Sequence, residues 1–242
     1  MTAAAIVVIA FMAFLASFVQ RVTGFGYGII FMTAAPYVIP SYGESTALSG
    51  MLAIVCALFT GMGLIRHIPW RKLAVILITF LIVSWFGVRI VASVDNLMLK
   101  RILGGILIGV SLYFFLVNGR IHLKPTVPVQ MGMGAISGMM GGLFGMQGPP
   151  AVIYFISCTD RKEEYMAITQ WYFIIGNLMM TFYRAGNGFL TAPVLKTFAL
   201  TFPAVFLGLF TGSRVYRKLN IETIRRCVYI FIGVAGVVAL VS

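Results

Sequence analysis

The sequence predicts an all-α, polytopic membrane protein, and three observations lead there. Hydrophobic residues make up 60% of the 242 positions and charged residues 10%, with a mean hydropathy of +1.00, far from the balance of a water-soluble domain. Apolar windows recur along almost the whole chain at the roughly 20 residues that a helix needs to cross a hydrocarbon core of about 30 Å. The alternation of a β-barrel strand is absent.

Taken in order, the apolar windows lie near 2–19, 23–39, 45–65, 73–91 and 101–118, then near 129–145, 148–158, 165–183, 196–213 and 227–241. No Lys or Arg precedes the first window and no polar cleavage region follows it, so it reads as a retained membrane segment rather than a signal peptide. The second and seventh are short or rich in Gly and Pro. They read as half-helices, or as hairpins that enter and leave on one face, so the number of spanning segments is eight to ten. If all cross, Arg21, Arg66, Arg71, Lys72, Arg120, Lys124, Arg161, Lys162, Arg214, Arg217, Lys218, Arg225 and Arg226 fall on one side, thirteen in all, against Arg89, Lys100, Arg101, Arg184 and Lys196 on the other. The positive-inside rule puts the richer side in the cytoplasm, with both termini outside. Treating the two short segments as hairpins keeps this parity.

The two halves repeat an order of features. Gly87-Val88-Arg89 and Lys100-Arg101 match Gly212-Ser213-Arg214 and Arg225-Arg226 at one offset of 125 residues, and Arg66 matches Arg184 at an offset near 118. The expected organisation is a first repeat over 1–118, a basic cytoplasmic connection over 119–128, and a second repeat over 129–242. An odd number of crossings in each half inverts one copy relative to the other, an arrangement that suits alternating access to a midplane site.

Two stretches do not read as straight lipid-facing helices: Gly24-Phe25-Gly26-Tyr27-Gly28, and Gly141 to Pro150 with its sequence GGLFGMQGPP. Glycine permits unusual backbone angles and proline lacks an amide hydrogen, so such breaks expose backbone groups that protein, water or a ligand must satisfy. A helix opening at Pro149-Pro150 inside the membrane would aim its positive end at the Gly145–Gly148 break, which suits an anion. Gly26, Gly28, Gly145, Gly148 and Pro149 are therefore expected at a substrate site, with Gln147, Gln170 and Asn177 as polar side chains costly enough in apolar segments to be informative. Gln20 and Thr169 are weaker candidates of the same kind. The alternative use of each glycine is close helix packing, which Gly134/Gly138 and Gly105/Gly109 also fit.

Other functions find no support in the sequence. The formal charge of +12 is dispersed in short clusters, unlike a nucleic-acid face. Cys56, Cys158 and Cys227 are widely spaced without a CxxC pair, as packing residues rather than ligands. His67 and His122 sit in basic turns, and Glu44, Asp95, Asp160, Glu163, Glu164 and Glu222 fall in connections. Neither a metal, a cofactor, a carboxylate relay nor an intramembrane catalytic cluster is expected, so the chain reads as no enzyme.

At these residues the chain resembles the sulfite exporter TauE/SafE family. Each half opens on a Gly-rich element and continues to an Arg-bearing turn, and Arg66-His67-Ile68-Pro69-Trp70-Arg71 looks like that family's basic, tryptophan-containing connection. The first element is GFGYG rather than a plain glycine run, and Thr33, Ala34 and Ala35 delay Pro36. The resemblance implies a secondary transporter in the cytoplasmic (inner) membrane, with a small anion as its partner besides the bilayer lipid. Sulfite, organosulfonates or carboxylates are the implied substrates. Export with the membrane potential follows for an anion, at about 2.3 kcal/mol per charge per 100 mV. An anion channel stays open as an alternative, as do the coupling ion and the oligomeric state, a homodimer included.

Overall fold

The computed structural model describes residues 2–116 and 123–216, together with residue 237. The expected segment 227–241, residue 237 apart, and the residues Arg120, His122, Arg217, Lys218, Glu222, Arg225, Arg226 and Cys227 lie outside the described residues.

Helices occupy each of the expected windows before residue 217. The first half holds α1 (Ala3–Thr23), α2 (Tyr27–Met32), α3 (Ala35–Val38), α4 (Tyr42–Gly61), α5 (Trp70–Val91) and α6 (Asn96–Leu116). The second holds α7 (Val127–Phe144), α8 (Gly148–Cys158), α9 (Lys162–Gly186) and α10 (Ala192–Tyr216). A 3-10 stretch over Met62–His67 prolongs α4, and window 23–39 is split into α2 and α3. Among the described residues five helical stretches are long and apolar enough to cross a membrane: Ala3–Thr23, Tyr42–His67, Trp70–Val91, Asn96–Tyr113 and Ala192–Val215.

Local chemistry sets the helix starts. Thr2 and Ser41 accept from the Ala5 and Glu44 amides at 3.3 Å, and Asp95 accepts from the Leu97 amide at 2.9 Å, satisfying donors that a helix leaves open at its N-terminus. Glu44, Glu163 and Glu164 stand in first helical turns rather than in the connections expected for them, where an acid is favoured by the helix dipole. Large apolar side chains such as Phe11, Ile78, Ile82, Phe86, Phe182 and Leu207 remain exposed on the outer surface.

Three long pairings build the bundle: α1 with α10, α5 with α7, and α4 with α9. At one end, Arg21 on α1 donates to Ser213 on α10 at 2.8 Å, Lys72 on α5 donates to the Cys158 carbonyl of α8 at 2.7 Å, and Trp171 on α9 donates to the Gly61 carbonyl of α4 at 3.2 Å. At the other, the Tyr42 amide donates to Asn96 at 3.2 Å and Thr191 donates to Glu44 at 2.8 Å.

Small residues let these pairs approach. A Cβ on Gly87 would lie 3.0 Å from the Gly142 Cα, Gly134 and Gly138 press on the backbone of Ile76 and Phe80, and Gly208 and Gly212 press on the backbone of Phe14 and Phe18. The packing expected of Gly134 and Gly138 is thus found, whereas nothing among the described residues lies within 4 Å of a Cβ at Gly105 or Gly109. Gly142→Val should push α7 off α5 and lower stability by about 1–3 kcal/mol, as overpacking does. Gly105→Val on the open face should leave the thermal unfolding midpoint nearly unchanged; equal effects would remove the close-packing account.

Candidate functional site

Both glycine breaks are helix ends. The first helix stops where Gly24 turns left-handed at φ 87°, its amide bonding the Gln20 carbonyl at 2.8 Å. Gly26 follows at φ 100° and caps α2, whose first amides, Tyr27, Gly28 and Ile29, have no acceptor within a helix. In the second half α7 stops at Gly145, φ 68°, with bonds from Gly145 to the Gly141 carbonyl and from Met146 to the Met140 carbonyl at 3.0 and 3.3 Å, the closure a glycine-ended helix makes. Gly148, Pro149 and Pro150 then form the first turn of α8. Because neither proline carries an N–H, the first three positions of that helix offer the amide of Gly148 alone.

The two breaks meet. A Cβ on Gly28 would overlap the Gly145 carbonyl and lie 3.6 Å from the Met146 Cα, so only a residue without a side chain allows this approach. Around the meeting point is a small cavity of about 20 Å³ lined by Gln20, Gly26, Tyr27, Gly28, Ile29, Ala53, Gly145, Met146, Gln147, Gly148, Phe173 and Asn177. That is room for about one water.

Six of the eight residues expected at a substrate site line this cavity: Gly26, Gly28, Gly145, Gln147, Gly148 and Asn177. Pro149 is buried behind it in the first turn of α8. Gln170 is not in the wall; it donates to the Gly24 carbonyl at 2.7 Å and accepts from Gln20 at 3.1 Å, tying α9 to the end of α1. Gln170→Leu should leave that buried carbonyl and Gln20 without partners and lower stability by about 1–3 kcal/mol. Its signature is a lower melting temperature with any ligand affinity within twofold of wild type, and a selective loss of affinity would assign Gln170 to the cavity after all.

The polar side chains of the wall differ in how they are held. Asn177 donates to the Phe173 carbonyl one turn earlier at 2.9 Å. The Gln147 carbonyl oxygen of the backbone accepts from Ser137, which also bonds the Tyr172 hydroxyl at 2.7 Å. The Gln147 side chain is 4% exposed, and its Oε1 has no hydrogen-bond partner. Sequence reasoning ranked Gln20 below the others although it reaches the cavity. It also missed the apolar wall of Ala53 and Phe173, because an alanine or a phenylalanine in an apolar helix carries no signal. No Asp or Glu contributes to the wall, and among the described residues no group of three or more metal-ligating side chains forms.

Comparison with known proteins adds two findings. The family model described as Sulfite exporter TauE/SafE matches residues 9–239. A protein of Cupriavidus necator described as "Probable sulfite/organosulfonate exporter TauE" is 25% identical over 230 residues, which span 91% of this chain and 88% of that protein. No solved structure matches the chain.

Proposed function

Since this chain belongs to the sulfite exporter TauE/SafE family, we propose that it is a secondary transporter moving sulfite or an organosulfonate out across the cytoplasmic membrane by alternating access. The observation that carries the proposal is the meeting of two glycine breaks, reached from opposite ends of the bundle, around one small cavity. The Gly26, Gly28 and Gly148 backbones would present amides to the anion, while Gly145, whose own amide is bonded to the Gly141 carbonyl, would serve as wall; the Gln147 and Asn177 side chains would orient the anion, and Pro149 would hold the α8 turn in place. A cavity of about 20 Å³ cannot admit a four-atom oxyanion. Binding therefore requires the walls to part, which favours a carrier over an open pore.

The inverted repeat belongs to the same reading, and the pairings support it. Exchanging α1 with α7 and α5 with α10 converts the α1–α10 pair into the α7–α5 pair, while α4 and α9 exchange with each other. Arg89 stacks over Trp85 and Arg214 over Phe210, each at 3.8 Å and at the same offset of 125 residues. Gly50 packs on Thr181 and Gly61 on Gln170, contacts that interchange when α4 and α9 do. On this reading the end holding Arg21, Arg66, Arg71 and Lys72 faces the cytoplasm.

Thermal unfolding of the detergent-purified protein against sulfite, an alkanesulfonate, sulfate, acetate and chloride at fixed ionic strength tests the proposal. A selective, saturable rise with a sulfur oxyanion is expected, about 2.7 kcal/mol at a hundredfold excess over Kd. Selectivity for acetate would transfer the site to carboxylates. A Cβ at Gly148 would touch Phe173 and Phe25 only at 3.6–3.7 Å, so Gly148→Ala should fold, take up the room of about one water and erase most of the rise. A rise that persists in this variant places the anion elsewhere.

A further inference from the structure

Among the described residues Arg184 is the largest side chain buried completely, 1% exposed. The sequence places it in a basic turn, but α9 runs on to Gly186 and carries it inside. Among the described residues no carboxylate pairs with it. Its Nη2 donates to the Gly141 carbonyl at 2.9 Å and lies 3.9 Å from the Met180 sulfur, while Nε and Nη1 have no acceptor. A buried hydroxyl nearby is in the same condition: Thr181 Oγ1, one turn before it on α9.

These groups converge with the cavity rather than apart from it. A Cβ on Gly50 of α4 would stand 3.1 Å from Arg184 Nη1, 3.3 Å from Thr181 Oγ1 and 3.7 Å from Asn177 Oδ1. Asn177, Thr181 and Arg184 follow one another at helical spacing on a single face of α9. Asn177 lines the cavity, and Arg184 lies seven residues, about 10 Å, farther along the axis. A buried cation without an anion is strongly unfavourable. One carbonyl at the end of α7 compensates only part of that charge, and the remaining N–H groups ask for an oxygen acceptor carrying negative charge.

We propose that Arg184 and Thr181 form a second oxyanion site. The transported anion occupies it between the cavity and the end of the bundle where α9 terminates. This rests on the transporter reading above. The competing role for Arg184 is a purely structural one, holding the end of α7 through Gly141.

Exchange of methanesulfonate in proteoliposomes, varied on each side separately, distinguishes the two. Arg184→Gln should raise half-saturation at least tenfold on the face nearer Arg184 and leave the opposite face within twofold. Arg184→Lys, which keeps the charge, should fall between them, and Thr181→Val should raise the same face about threefold. A structural role alone would lower thermal stability and leave half-saturation unchanged on both faces, and that result overturns the second site. Should Arg184→Gln fail to fold, the Thr181→Val comparison decides by the same criterion. Wild-type protein without saturable exchange would instead bring down the transporter reading and this site with it.

Discussion

Gly28→Val is expected to abolish substrate exchange and to lower the melting temperature by roughly 5 °C, the shift that an overpacking cost of about 1–3 kcal/mol gives in a chain of this size. The cause is a collision and not a backbone angle. Gly28 lies in the first turn of α2 with its Cα against the Gly145 carbonyl, and a side chain there would occupy the position of that oxygen. Separating the breaks by a methyl group or more moves the α2 amides away from Gly145 and Met146, so both walls of the cavity are displaced together. Gly26→Ala provides the comparison, because a Cβ there would meet only Val19 at 3.6 Å while the residue holds φ 100°. Its cost is torsional. Thermal unfolding and exchange in proteoliposomes check both variants, and wild-type exchange by Gly28→Val would show that apposition of the breaks is not required.

The second large effect is expected from Gln147→Glu. A carboxylate is nearly isosteric with the amide, so the Gln147 turn and its bond to Ser137 should survive. The charge is another matter. At about 4 Å and an effective dielectric near 20, two like charges repel by about 4 kcal/mol, close to a thousandfold in affinity. Loss of alkanesulfonate-dependent stabilisation is the expected result, with an unfolding midpoint below wild type while the buried carboxyl is charged. An alkanesulfonate keeps its charge on acidification whereas the introduced carboxyl takes up a proton, so lowering the pH should restore part of the binding. Undiminished affinity at neutral pH would mean that no anion comes near Gln147.

The architecture was legible because glycine, proline and charge punctuate a nearly uniform apolar chain. Each window before residue 217 coincides with a helical element, and both breaks fall where Gly24 and Gly145 turn left-handed. Finer assignments depended on which face a residue presents, and windows cannot supply that. Gln147 and Asn177 face the cavity, while Gln170, an equally costly amide, is held by Gly24 and Gln20. Arg184 misled for a related reason: an arginine two residues before Gly186 resembles an interfacial anchor until the end of α7 is seen to cover it. Arg66, matched to it by spacing, is exposed in the 3-10 stretch. Similar spacing therefore does not bring the same environment.

The longest described helices include α9, which is fastened near its start by Gln170 to the end of α1 and near its finish by Arg184 to the end of α7. A rod pinned to two hinges acts as a linkage, since it transmits displacement at one pin to the other. On the transporter reading, loosening one break while the other stays pinned lets a single end yield at a time. A continuous leak would need both pins to rupture together, at the summed free energy of two buried attachments. On that same reading, tight coupling of exchange with little slip of anions down their gradient is the expected consequence of one helix being held twice.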